Sequence, residues 1–99
     1  MINNKLLETL YNLDNTFGVS GNEEETAAAL RKEMEGLYDE HIEDPLGSQI
    51  FIKYGKDRDR KIVLSAHMDE IGFILNYTED NGIGRFLPVG YQPGYGCYD

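Results

Sequence analysis

Apolar residues recur at three- and four-residue steps early in the chain, at Leu6, Leu10, Leu13 and Phe17. That spacing predicts an amphipathic helix over residues 3 to 16, with Gly18 able to stop it. Ser20 and Glu23 then stand three apart, as in a capping box. The stretch EEETAAALRKEMEGLY that follows holds strong helix formers and no proline, so a second helix is expected. Its buried face is Ala27, Leu30, Met34 and Leu37. Glu23, Glu24 and Glu25 fall in its first turn, where the helix dipole favours anions, so this acidic cluster needs no ligand to explain it.

After Tyr38 the period changes. Asp44-Pro45-Leu46-Gly47 is a turn signal, and residues 48–54 alternate, with Ile50, Ile52 and Tyr54 on one face and Phe51 and Lys53 on the other. GKDRDR at 55–60 is a solvated turn. KIVLSA at 61–66 has little alternation, as in a strand buried on both faces. IGFILNY and RFLPV read as paired strands joined by TEDNGIG, whose Asn81-Gly82 suits a primed hairpin turn. Two helices followed by strands predict an α/β layer with helices on a sheet. A strand buried on both faces needs cover on both sides, and two helices are too few, so the expectation is the front part of a larger fold. The last residues, GYQPGYGCYD, are glycine-rich without a period and read as irregular chain.

Composition narrows the function classes. At 99 residues the chain makes at most one ordinary domain. Apolar residues are 40% and charged residues 27%, which fits a soluble globular protein. With 18 acidic against 9 basic residues the net charge is −9, which argues against a nucleic-acid partner, since phosphate binding needs a basic face. The single cysteine, Cys97, makes no internal disulfide and no cysteine-based zinc site. No signal peptide and no run of membrane-spanning length is present, so the expected compartment is the cytoplasm, with no membrane partner.

The candidate chemistry sits in VLSAHMDEIGF, residues 63–73. If extended geometry continues past Ala66, His67 and Asp69 share a face at the C-terminal end of the 61–66 run. In open α/β sheets that end is where ligands bind. A metal-binding His commonly has its other ring nitrogen held by a carboxylate, a part Asp69 can play, and an imidazole with a carboxylate suits Zn²⁺ or Co²⁺. By spacing alone, a hydrogen-bonded, idle His67 in a polar loop is the better explanation of the pattern. His41, Glu43 and Asp44 form a weaker cluster before the proline turn. Glu70 is a candidate general base with nothing to place it. Asp69 and Glu70 are adjacent, so on a strand they face opposite ways and would not flank one glycosidic bond.

Four blocks resemble a known family. FGVSGNEEE at 17–25, DPLGS at 44–48, VLSAHMDEIGFIL at 63–75 and GIGRFLPVG at 82–90 follow the order and spacing of the glutamyl and deblocking aminopeptidases. These dinuclear metallopeptidases include the tetrahedral aminopeptidases, and some members carry an older endoglucanase label. The resemblance covers about residues 5 to 90. It implies the N-terminal portion of a helix-sandwiched sheet of the zinc-peptidase type, with two helices and four to five strands, incomplete in this chain. It implies that residues 1–90 belong to the catalytic domain. His67 matches a metal ligand, and Asp69 matches the residue that supports it. Divalent Zn or Co, peptide substrates and homo-oligomers are the implied partners. The implied reaction is release of N-terminal residues by a metal-activated water.

Two departures stand out. Ser48 replaces the usual Asn, and from Tyr91 the sequence leaves the pattern, so 91–99 reads as an irregular tail. A catalytic zinc takes about three protein ligands, and a two-metal site more. This chain has two His and one Cys. The expectation is a truncated, inactive piece of an aminopeptidase. The alternative is a non-catalytic remnant or self-associating module with open sheet edges. A relationship to dinuclear deacylases and carboxypeptidases, which also use His-x-Asp, is disfavoured by the Glu70-Ile71-Gly72-Phe73 continuation.

Overall fold

In the computed structural model, residues 3–91 are described. The expectations for the tail and for Cys97 therefore lie, apart from Tyr91, outside the described residues. Helix α1 spans Asn4–Asp14 and α2 spans Glu24–Glu33. Asn3 caps α1 by accepting the Leu6 amide at 2.8 Å. The helix ends three residues before Gly18, at Asn15, whose Nδ2 donates to the Tyr11 carbonyl. The predicted capping box does not form. Glu23 is itself the cap position of α2, and its carboxylate accepts the Gly21 amide at 2.7 Å. Glu24 and Glu25 in the first turn and Arg31 and Lys32 in the last complement the helix dipole.

The strands form two separate antiparallel hairpins. Strand β1 (Glu40–Glu43) pairs with β2 (Gln49–Ile52), and β3 (Gly72–Thr78) pairs with β4 (Gly84–Val89). The first turn is clamped by Asp44, whose Oδ1 accepts the amides of Leu46 and Ser48. The second hairpin differs from the expected primed turn. Among its loop residues only Gly82 has positive φ, at 87°, whereas a type I′ turn needs it at both central residues. Instead the Gly82 amide bonds Glu79 O and the Glu79 amide bonds Ile83 O, a longer loop closed by Gly82. Pro88 lies in β4, a two-stranded position where a missing amide is tolerated.

The expected strand at 61–66 is not formed. Among the described residues it has no ladder partner, and Ile62, Val63 and Leu64 are 91%, 85% and 93% exposed. The run is apolar because it suits burial, but no described residue covers it. The helix faces are half-open for the same reason. Leu6 and Leu10 on α1 are exposed, as is Leu37, expected on the second helix but lying beyond the end of α2, and among the described residues the only buried hydrophobics are Val19 and Ala27. The radius of gyration is 18.4 Å, against about 13 Å for a compact chain of this length. No described helix is long and apolar enough to cross a membrane.

Candidate functional site

Two sequence blocks meet to hold the His67 segment. The Glu70 amide donates to the Gly18 carbonyl at 2.8 Å, and Val19 makes a parallel bridge with Glu70. The approach is too close for side chains. A Cβ on Gly72 would lie 2.4 Å from Val19 Cγ2, and one on Gly18 would lie 2.2 Å from Thr26 Oγ1. Glycine at 18 and 72 therefore lets the 17–20 loop, α2 and the 67–72 segment touch. The spacing of blocks in the sequence carries no sign of this contact.

Beyond this anchor, His67 and Asp69 come together as expected. His67 Nδ1 lies 2.9 Å from the Asp69 carbonyl and 3.2 Å from its Oδ1. Both neighbours are acceptors, so Nδ1 carries a proton and donates, and in the neutral ring the lone pair is on Nε2. The His67 side chain is 85% exposed. The 67–69 segment separates two hollows. The larger, about 630 Å³, is bounded by Glu24, Leu46, Ser48 and Leu64. The smaller, about 260 Å³, is bounded by Leu13, Thr16 and Thr26.

The weaker cluster has structural duties. His41 stacks on Phe51 at 4.8 Å, and its Nε2 lies 2.9 Å from Gln49 Oε1. Glu43 faces Arg31 at 3.3 Å. Asp44 holds its turn, and the Ser48 amide, then the Ser48 hydroxyl, keep its carboxyl below the usual range. Glu70 contributes its amide to the anchor.

As a metal donor, His67 fits in kind. Its ring is oriented by a carboxylate and its Nε2 is accessible, as metal-binding imidazoles are arranged. It does not fit in number. Among the described residues no three His, Cys, Asp or Glu side chains stand close enough to hold an ion. No catalytic step is assigned to these residues alone.

Residues 47–94 match the family profile of the M42 glutamyl aminopeptidases. A protein of Acetivibrio thermocellus named "Putative aminopeptidase" is 46% identical over 80 residues, which are 81% of this chain and 24% of that protein. The crystal structure of a TET aminopeptidase from a marine sediment Thaumarchaeota archaeon superposes with TM-score 0.77 at 39% identity, over 86% of this chain and 23% of that one. A Thermotoga maritima protein described as an endoglucanase gives TM-score 0.76 at 41% identity, over 84% of this chain and 27% of that one. The chain thus spans about a quarter of the length of these relatives.

Proposed function

From the premise that the chain belongs to the M42 glutamyl aminopeptidase family over the stretch it spans, we propose that it is the His67-bearing, N-terminal part of a metal-dependent aminopeptidase domain. His67 Nε2 is one ligand of a divalent ion, Zn or Co, and Asp69 holds the ring from behind. The observation that carries this is the Nδ1 contact to Asp69, which leaves Nε2 as the accessible donor. When bound, the metal supplies polarisation of a peptide carbonyl and activation of water. What this chain supplies is orientation. Asp69 fixes the tautomer of His67, and the Gly18–Glu70 contact fixes where both stand. The remaining ligands and the general base come from outside the described residues, so the 99 residues alone do not turn over. Substrates are peptides, and the assembled enzyme is a cytoplasmic homo-oligomer.

The test joins activity to metal binding. The chain with Zn²⁺ or Co²⁺ should hydrolyse aminoacyl-anilides no faster than buffer. Replacing the matching segment of the TET aminopeptidase by residues 5–90 should give an active hybrid, and His67→Ala should silence it. An active hybrid indifferent to His67→Ala would remove His67 from the metal site. Robust turnover by the 99 residues themselves would overturn the inference that ligands are missing.

A further inference from the structure

Two threonines sit where the His67 segment is anchored, and the functional reading leaves their hydroxyls unused. Thr16 lies in the turn after α1, and Thr26 lies in the first turn of α2. Both are half-buried. Their Oγ1 atoms are 2.8 Å apart. Each hydroxyl has one proton to give, which fixes the direction of the contact. Thr16 Oγ1 donates to the Leu13 carbonyl at 2.7 Å, so towards Thr26 it can only accept. The Phe17 carbonyl, 3.4 Å from Thr26 Oγ1, is a poorer target for the Thr26 proton than Thr16 Oγ1. The result is a relay from Thr26 to Thr16 to the last turn of α1.

The relay holds the turn that ends at Gly18. Gly18 lies directly against Thr26, since a Cβ there would be 2.2 Å from Thr26 Oγ1. The Gly18 carbonyl accepts the Glu70 amide at 2.8 Å. Glu70 follows Asp69, and both contacts that orient the His67 ring are made by Asp69, through its carbonyl and Oδ1. Thr16 and Thr26 also bound the smaller hollow together with residues 67–70. We propose that Thr26 is a positioning residue for His67, acting through the Thr16 hydroxyl, the Gly18 carbonyl and the Glu70 amide. The inference rests on the reading of His67 as a metal ligand. A methyl group in place of the hydroxyl neither donates nor lets Gly18 approach as closely, so valine is not an equivalent residue here although its shape is similar. Serine keeps the donor.

Ring ¹⁵N NMR of His67 and exchange of the Glu70 amide, both on the full chain, test the proposal. In Thr26→Val the Glu70 amide should exchange at least about fivefold faster, the factor expected from one lost neutral hydrogen bond. The His67 ring should shift from the Nδ1–H form toward a mixture of tautomers. Thr26→Ser should retain the behaviour of the parent chain in both. Thr16→Ala breaks the relay in the middle without altering α2. It should give the same two changes, with the double variant no worse than either, and it decides the matter should Thr26→Val fail to fold. Faster exchange spread through α1 and α2 with the His67 tautomer unchanged would make Thr26 a purely structural residue and overturn the proposal. Equal losses in Thr26→Ser and Thr26→Val would overturn it as well. In the active hybrid, Thr26→Val should speed the loss of Zn²⁺ to a chelator by about fivefold, and Thr26→Ser should not; no change in either would count against the relay. An active hybrid indifferent to His67→Ala would remove the metal role and leave the NMR result standing, so the two readings fail separately.

Discussion

Gly72 has no room for a methyl group. Val19 Cγ2 occupies the place a Cβ would take, at 2.4 Å. Gly72→Ala should therefore push the 17–20 loop off the 67–72 segment, at a cost of about 1–3 kcal/mol typical of overpacking. Faster exchange of the Glu70 amide, which bonds Gly18 O, is the readout. Adding Val19→Ala should recover most of the protection, and failure to do so would mean the glycine acts through backbone freedom instead. Asp44 makes a second residue-scale prediction. Its carboxyl is held low by the Ser48 amide and hydroxyl and the Leu46 amide. A lowered folded pKa means the turn gains stability above the ordinary aspartate pKa of about 4 and loses it as pH falls through the lower folded value. Carboxyl NMR should place the Asp44 midpoint below that of an unstructured aspartate, and Asp44→Asn should flatten the acid-side loss of order in residues 44–48. An ordinary midpoint would contradict the clamp.

At the scale of elements, Arg31 joins α2 to the first hairpin. It bonds Glu24 at 2.7 Å, Glu43 at 3.3 Å and Gln49 Oε1 at 3.3 Å, and Gln49 in turn meets His41. The guanidinium is about one-third exposed, so solvent screens it, and Arg31→Ala should cost no more than about 1 kcal/mol. The expected signature is local: faster exchange in β1 and β2 with α1 unaffected. Uniform destabilisation would mean that the hairpin and the helices form one cooperative unit. Elements of this kind were legible because their signals are local. The Leu6–Leu10–Leu13 period and the alternation at 49–52 each depend only on neighbours in sequence, as does the turn chemistry of Asp44–Gly47. What failed depended on detail or on distant partners. Ser20 and Glu23 have capping-box spacing, but the helix starts one residue after Glu23, so Ser20 is too far upstream to cap it. KIVLSA reads as a buried strand because burial is what such a run suits. Pairing, though, depends on partners distant in sequence, and among the described residues no strand pairs with this run. At the site, the His67–Asp69 pairing was legible from two-residue spacing. The Gly18–Glu70 anchor was not, since it joins residues about fifty apart in sequence.

For the whole molecule, elements are present but a core is nearly absent. Among the described residues only Val19 and Ala27 are buried hydrophobics, and apolar side chains on α1 and both hairpins face water. Even so, the arrangement matches relatives about four times longer, with TM-scores of 0.76 and 0.77. The layout is therefore that of a segment whose apolar faces are meant to be covered by other chain. Hydrogen exchange should find the slowest amides around Val19, Ala27 and the β3–β4 ladder, and little protection elsewhere in the monomer. The functional claim has the same form: one oriented imidazole, with its co-ligands elsewhere. Ring ¹⁵N NMR of His67 during a Zn²⁺ titration tests it most directly. The account predicts the Nδ1–H tautomer before metal, held by Asp69, and a weak Zn²⁺ response that appears first at Nε2 and vanishes in His67→Ala. A Nε2–H tautomer, or tight binding that leaves His67 Nε2 untouched, would contradict it.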